Sequence, residues 1–415
     1  MARQPPPADP SLRRPWLSHN LKTLSAVSFL QDAASELLYP ILPLFITAVL
    51  GAPVVVVGAV EGVAEAVAAL TKVLSGRLSD RAGRKTFVTA GYGLAAVGKI
   101  LIAVATVWPI VLLARCIDRV GKGIRAAPRD ALIVDGVPAQ HRGSAFGFHR
   151  AMDTSGAVVG PLLGLAGYEL LNHQLRPLFV IAVVPAVASA FLTRTVVESR
   201  RRPVSVAPVG RGGATGHAAA VLRRKDEPLP PRFWSVVAVL ALFGLINFPD
   251  SLLLLRASEL GLGTAGVIAA YALYNAVYAA LSYPAGWLSD RVPRRYVMAV
   301  GFGFFAVGYV GLALIRSPGL VFVILPLYGG FAACTDGVGK AWISSLLPAD
   351  RQGFGQGLYQ GMTGAAVLVA GLWAGFSWDG TGRGPLLISG AVAVLLAAVL
   401  LVQGHDRLPP PKTSR

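Results

Sequence analysis

The chain has 415 residues, of which 54% are hydrophobic and 14% are charged, and its net charge is +17. Soluble domains have about a quarter of their residues charged, and the mean hydropathy here is +0.59. This composition excludes an ordinary soluble protein and indicates that lipid surrounds most of the chain. The positive charge does not indicate nucleic-acid binding, because most of the net charge sits in alternate loops between the apolar segments, the long central loop included.

Twelve apolar stretches follow one another along the chain, and each is long enough to cross a bilayer, which takes about 20 residues. We predict that all are helical, because backbone groups in lipid have no water to pair with. A soluble helical protein would need polar helix faces, and the last stretch has none. The predicted spans are 22–49, 54–75, 86–107, 109–132, 144–170, 176–196, 233–256, 264–287, 296–315, 318–345, 354–377 and 385–403.

The longest polar stretch lies between the sixth and seventh spans and is rich in Pro, Gly and Arg. It predicts a flexible linker between two six-helix halves. Basic residues concentrate in alternate loops, so the positive-inside rule places both termini and the linker in the cytoplasm. Abundant Ala, Gly, Val and Arg suggest a GC-rich bacterium and hence its inner (plasma) membrane. The predicted organisation is a tail at 1–21, a first half at 22–197, a linker at 198–232, a second half at 233–404 and a tail at 405–415.

The two halves repeat each other in sequence. The segment GRLSDRAGRK at 76–85 recurs as GWLSDRVPRR at 286–295, and PAQHRG at 138–143 recurs as PADRQG at 348–353. Both repeats have the same offset of 210 residues. Parallel repeats of six spans are the plan of one class of secondary transporters.

Several motifs of this chain resemble those of one known transporter family. The segment at 76–85 resembles the signature loop of the major facilitator superfamily, and its second copy fits as well. RVGKGIRAA at 119–127 is similar to that family's R-x-x-Q-G-x-G-A-A motif on the fourth span, with Lys and Arg at two positions. GAVVGPLLG at 156–164 resembles the G-x-x-x-G-P-x-x-G motif of its drug:H⁺ antiporter branch. The resemblance implies an all-α membrane protein with 12 transmembrane helices in two pseudo-symmetric halves, working by alternating access as a monomer.

The resemblance also implies a latch on the cytoplasmic side. Asp80 would meet the backbone near Phe354, and Arg81 or Arg84 would pair with Asp130. Alternatively, the basic residues of this loop only set topology. Pro293 replaces the second glycine in the second copy, so its latch geometry stays open. The candidate gate residues are Gly76, Asp80, Arg81, Gly83, Arg84, Asp130, Asp290 and Arg291.

The fifth span carries glycines four residues apart, at Gly156, Gly160 and Gly164. At about 100° per residue they form one stripe on the helix, and small residues let helices approach closely. Pro161 would bend the helix. In the family such a stripe is linked with exporters, whereas the alternative is ordinary packing with no directional meaning.

Ionisable side chains inside lipid are costly, so they mark function by default. Carboxylates four residues apart occur on the first span and again on the second, and we expect these four to carry protons, with Arg119 as their counter-charge. The acids of the second span could instead form a structural cluster with Lys72. The candidate proton-coupling and cavity residues are Asp32, Glu36, Glu61, Glu65, Arg115, Arg119, Arg150, Asp153 and Asp250.

Three tyrosines of the eighth span, Tyr271, Tyr274 and Tyr278, have near-helical spacing. They could line a cavity wall, but core packing is the favoured interpretation.

The sequence contains no nucleophile elbow, zinc motif or nucleotide-binding loop, so we expect neither an enzyme nor a cofactor or metal centre. The leading hypothesis is a proton-coupled antiporter that exports a small cationic or amphipathic molecule across the lipid bilayer. A divalent-metal exporter is one alternative. An importer of an anionic metabolite that uses Arg115, Arg119, Lys122 and Arg150 is another, and a lipid substrate stays open.

Overall fold

The computed structural model describes residues 16–198 and 229–402, except for residues 40, 43–44, 53–55, 57–59, 61–62, 65–66, 69, 73–74, 76–77, 80–82, 136, 173 and 380. This part of the chain is helical and contains no strand, which confirms the predicted all-α fold class. Described residues with a helical assignment between 56 and 75 lie within the predicted second span, and Leu78 and Ser79, which are also helical, lie just beyond its end.

The helices of both halves follow the predicted order. In the first half they are α1 (His19–Leu38), α2 (Arg84–Ala103), α3 (Trp108–Val134), α4 (Arg142–Leu170) and α5 (Leu175–Leu192). In the second half they are α6 (Pro231–Gly244), α7 (Asp250–Glu259), α8 (Thr264–Ser289), α9 (Arg294–Leu314), α10 (Val321–Ser345), α11 (Gln352–Phe376) and α12 (Arg383–Val402).

Five of the described helical stretches are long and apolar enough, by length and composition alone, to cross a membrane. They are Arg84–Ala103, Leu175–Thr195, Arg294–Leu314, Pro318–Ser345 and Arg383–Val402. The helices α3 and α4 are longer than most of these but carry several charged residues. Many of those charges point into the bundle rather than toward its surface, as the site below shows.

Two predicted spans are divided in the structure. The first, predicted as 22–49, has α1 ending at Leu38 and a separate π-helical segment at Phe45–Val49. The seventh, predicted as 233–256, is interrupted between α6 and α7. Pro249 immediately precedes α7. Proline has no backbone N–H and disfavours helical geometry in the residue before it, so the helix cannot continue through this point.

The folded part of the first half extends beyond its predicted boundaries at both ends. At the start, Trp16 is 7% exposed and stacks on Tyr283 of α8, while Ser18 accepts a hydrogen bond that caps α1. At the end, Glu198 accepts hydrogen bonds from the backbone N–H groups of Arg84 and Lys85, at 2.8 and 3.1 Å. Residues assigned from sequence to a tail and a linker therefore anchor α1 and α2.

The two halves meet through a small set of helices. Within the first half, α4 packs on α1, and α2 packs on α3 and α5; within the second, α9 packs on α10 and α12. Between the halves, α4 contacts α8 and α10, and α3 contacts α11. The helices that carry most of the charged residues therefore line the boundary between the halves.

The glycine stripe of α4 lies directly against α1. A Cβ atom built on Gly160 would lie 2.6 Å from the carbonyl oxygen of Ala33, and one on Gly156 would lie 2.4 Å from that of Phe29. At Gly164 the corresponding distance, to Leu37, is 3.2 Å. The helix runs through Pro161 without a break. Only glycine permits this approach, which holds α4 beside the carboxylate-bearing face of α1.

We expect Gly160→Ala to lower the melting temperature of the purified protein, because the new methyl group would meet backbone atoms of α1. Adding atoms to a packed contact costs about 1–3 kcal/mol. Gly303→Ala in α9 is the matched control, since a Cβ there has no neighbour within 4 Å and alanine favours helix over glycine. Equal melting temperatures for the two variants would contradict this packing.

Candidate functional site

One buried acid of α3 is Asp118. Its Oδ1 lies 3.2 Å from Lys99 Nζ, and its Oδ2 lies 4.0 Å from Arg115 Nη1. Lys99 is 3% exposed and Asp118 is 6% exposed. The two cations offset part of the cost of burying this carboxylate, and removing a partner of a buried pair is strongly destabilising, so this cluster is part of the framework of the first half.

A second acid of α3, Asp130, is fully buried and joins the two halves. Lys340 Nζ of α10 lies 2.8 Å from its Oδ2, and the Gln360 amide of α11 donates a hydrogen bond to the same oxygen at 3.0 Å. Arg129 Nε approaches the other oxygen at 3.2 Å. Asp130 therefore obtains its partners largely from the second half.

Of the two arginines predicted to pair with Asp130, Arg81 lies outside the described residues and Arg84 pairs with a different acid. The Arg84 guanidinium instead donates to both carboxylate oxygens of Asp135, at 3.1 Å each. Asp135 terminates α3 next to the start of α2, whereas Asp130 lies about 7.5 Å deeper along the helix axis. The Asp130 carboxylate is therefore paired with Lys340 rather than held by the loop arginine.

Arg150 of α4 makes a second connection between the halves. Its Nη1 lies 2.7 Å from Asp153 Oδ2 in the same helix, and its Nη2 lies 2.6 Å from Asp336 Oδ2 of α10. The Tyr278 hydroxyl also donates to Asp336, and the guanidinium lies 5.7 Å from the centre of the Tyr278 ring. One arginine thus holds a carboxylate from each half.

The two acids of α1 differ from these paired carboxylates. Asp32 and Glu36 lie one helical turn apart and are half-buried. Within the part of the chain that the structure describes, neither has an ion pair or a hydrogen bond. Asp32 is within electrostatic range of Asp153 and Lys122. Glu36 is within range of Lys122 and Arg119, so both acids face the charged side of α3.

The seventh-span acid, Asp250, occupies the first turn of α7. It accepts hydrogen bonds from the Tyr274 and Tyr328 hydroxyls, at 3.1 and 3.0 Å. The hydroxyl groups of Tyr274 and Tyr278 therefore donate hydrogen bonds to Asp250 and Asp336, respectively. The core packing favoured from the sequence is not the only role of these two residues.

A latch closes one end of the bundle, which we call the latch end, at Gly143 and Asp290. The Asp290 carboxylate accepts hydrogen bonds from the N–H groups of Gly143 and Ser144 and from the Ser144 hydroxyl, each at 2.7 Å. The first N–H groups of a helix lack intrahelical partners and carry partial positive charge. A Cβ on Gly143 would lie 2.3 Å from the Gly286 carbonyl oxygen, so α4 and α8 touch here.

The remaining gate candidates have separate places. Gly83 has φ of +95° and precedes α2, a conformation that glycine adopts without strain. Arg291 lies over the Trp287 ring at 3.5 Å and donates to the carbonyl of the same residue. Arg142 donates to the Ser344 carbonyl at the latch end. Five candidates lie outside the described residues: Glu61, Glu65, Gly76, Asp80 and Arg81.

Sequence reasoning overlooked two cations of this site. Lys99 is the only charged residue of the predicted third span, so the rule that singled out the intramembrane acids should also have selected it. Arg129 directly precedes Asp130 and reaches Asp153 at 4.0 Å as well. No spacing signal in the sequence distinguishes Arg129 from a residue facing lipid.

Comparison with known proteins gives the family. The model of the Major Facilitator Superfamily matches residues 24–273 and 250–415, and the chain belongs to this family of transporters. It is therefore a multi-pass membrane transporter with the family's fold.

Three similar proteins illustrate the range of the family. An uncharacterised MFS-type transporter of Methanocaldococcus jannaschii is 32% identical, over 93% of this chain and 95% of its own length. The class D tetracycline resistance protein of Salmonella ordonez is 23% identical, over 80% and 83%. The crystal structure of the human organic anion transporter MFSD10 has a TM-score of 0.71 at 16% identity, covering 92% of this chain and 98% of that one, which shows a shared fold.

We expect Asp290→Ala to shift the protein toward a state open at the latch end, because three donors lose their acceptor. Hydrogen bonds to charged groups contribute about 1.5–3 kcal/mol each, enough to change a two-state population markedly. Spin labels at the exposed positions Gln140 and Tyr296, in a Cys116→Ser and Cys334→Ser background, should report longer distances by pulsed electron resonance.

Asp379→Ala is the control for this measurement, because Asp379 accepts hydrogen bonds within its own exposed loop. Its distance distribution should match that of the parent protein. An unchanged distribution in Asp290→Ala would show that the latch does not hold this end closed.

Proposed function

We propose that this transporter is a proton-coupled exporter of a small cationic or amphipathic molecule, with Asp32 and Glu36 as its proton carriers. It acts as a monomer in the bacterial inner membrane, with both termini and the latch end in the cytoplasm. The observation that carries the proposal is the contrast between these two acids of α1, which have no ion pair among the described residues, and the paired acids around them.

Pairing decides which carboxylates can exchange protons. A buried charge without a partner is costly, so such a group tends to take up a proton or bind a cation. Asp118, Asp130 and Asp153 each lie beside at least one cation at 4.0 Å or less, which favours their charged form in this conformation. Asp32 and Glu36 have no such pair among the described residues, so their charge depends on protons or solute.

A charge change on α1 can influence the contact between the halves. Asp32 is within electrostatic range of Asp153, and Asp153 shares Arg150 with Asp336 of the second half. Neutralising Asp32 removes a negative charge near this bridge and changes the strength of the Arg150 contacts. Protonation on one side and deprotonation on the other would then accompany alternating access.

Two observations support export as the direction. One of the similar proteins is a tetracycline resistance protein. The glycine stripe also packs α4 tightly on α1, beside Asp32 and Glu36. The basic loops at the latch end support its cytoplasmic location by the positive-inside rule.

Two other substrate classes are separate outcomes of the test. A divalent metal would need several oxygen or nitrogen ligands, and the part of the chain described by the structure contains no group of three or more such side chains. An organic anion would use the cations of α3 and α4, among them Arg115, Arg119 and Arg150.

The test is proton flux in liposomes that contain the purified protein and a pH-sensitive dye. With an imposed proton gradient, an organic cation should drive proton movement in the parent protein. Asp32→Asn and Glu36→Gln should reduce that flux by about tenfold or more, because an unpaired intramembrane carboxylate is the proton-binding group.

Glu169→Gln is the matched control, since Glu169 is an exposed acid near the far end of α4, and it should retain full flux. Proton flux driven by divalent metals or by organic anions, but not by cations, would assign the substrate to one of the other classes. Undiminished flux in both α1 variants would show that these acids are structural and that the coupling proposal is wrong.

A further inference from the structure

The carboxylate of Asp250 has an unusual environment for an acid within a membrane protein. Its hydrogen bonds come from two tyrosine hydroxyls, Tyr274 on α8 and Tyr328 on α10. No cation forms an ion pair with it within the described ranges of the chain. Its carboxylate lies against two aromatic side chains, and the residue is half-buried.

Helix capping does not account for this acid. Asp250 lies in the first turn of α7, but no side chain caps the start of that helix. Its two oxygens instead bind different tyrosines, Oδ2 with Tyr274 and Oδ1 with Tyr328. The carboxylate is therefore oriented by hydrogen bonds from α8 and α10. Asp250 is the first residue of α7, directly after the break in the seventh span.

The tyrosines beside Asp250 form a stack of three rings. The centres of the Tyr271 and Tyr274 rings are 5.7 Å apart with an interplanar angle of 27°, and those of Tyr274 and Tyr328 are 5.5 Å apart at 20°. Tyr274 and Tyr328 are 6% and 2% exposed, whereas Tyr271 is half-buried. The stack therefore ends at Tyr271, the accessible ring of the three.

Tyr271 lies toward the first half of the protein. It is within electrostatic range of Glu36 on α1 and of Tyr39 just after it, as well as of Asp250. The accessible ring of the stack is thus near an acid of each half, Glu36 and Asp250. A molecule bound there would contact both halves.

We propose that Asp250 and the stack of Tyr271, Tyr274 and Tyr328 form the binding site for a planar aromatic organic cation. A planar ring stacks on an aromatic side chain in offset geometry, and a cation over a tyrosine face gains electrostatic attraction to the ring. Asp250 supplies the balancing charge. The inference deepens the proposed function, because this cation is the exported molecule, and it separates the solute site in the second half from the proton carriers on α1.

The test uses the purified full-length protein and ethidium as the probe, with binding followed by fluorescence anisotropy. N-methylquinolinium and quinoline, which share one ring system and differ in charge at neutral pH, then compete with ethidium. The cation should displace ethidium at a concentration about tenfold lower than quinoline does, because only the cation pairs with a carboxylate.

Substitutions of Asp250 and of Tyr271 examine the charge and the ring separately. Asp250→Asn keeps the acceptor for a tyrosine hydroxyl but removes the charge, so it should abolish the preference for the cation over quinoline. Tyr271→Leu should weaken ethidium binding by about threefold to fivefold, whereas Tyr271→Phe, which keeps the ring, should bind normally. Asp379→Asn, in an exposed loop, is the charge control, and melting temperatures establish that each variant is folded.

The outcomes separate this inference from the proposed function. Absence of ethidium binding to the parent protein, or an unchanged cation preference in Asp250→Asn, overturns the site even if proton flux depends on Asp32. Loss of the preference in Asp250→Asn upholds the site even if proton flux is unaffected by Asp32→Asn and Glu36→Gln. In that case the protein binds aromatic cations, and the proton-coupling proposal alone fails.

Discussion

The cost of placing a charge away from water is the constraint on which the interior of this protein depends. That cost is met in two ways. Asp118 finds its cations within its own half, whereas Asp130 obtains Lys340 from the other half, and Arg150 obtains Asp336. The charges that pair across the two halves have their partners only while the halves are in contact. These pairs therefore favour the conformation closed at the latch end.

The same charges limit how the halves can separate. Alternating access requires Asp130 and Lys340 to part, and each would then need water in place of its partner. Asp130 is fully buried, while the side chain of Asp336 is 41% exposed. Opening the latch at Asp290 admits water from the end of the bundle and lowers the cost of breaking the deeper pairs. The latch and the ion pairs both join the two halves, so alternating access has to break both.

The proposed sites divide two tasks between the halves. The unpaired acids of α1 respond to protons, and the Asp250 site in the second half responds to an aromatic cation. Tyr271 is within electrostatic range of both Glu36 and Asp250. Competition between a proton and a cation therefore needs no shared carboxylate, since positive charge near one of these acids disfavours positive charge near the other.

The sequence by itself determined the helical class, the twofold repeat and the acids that merit attention, because hydrophobic length and intramembrane charge are local properties. It also indicated the glycine stripe, whose spacing alone places it on one helix face. Only the tertiary structure decided the partners. Asp130 lies about 7.5 Å from Asp135 along the helix axis. Because of this separation, Arg84 pairs with Asp135 and Lys340 pairs with Asp130. Whether an acid such as Asp32 or Asp250 is paired depends on side chains that distant helices bring together, so the sequence could name these residues but could not distinguish carriers from framework.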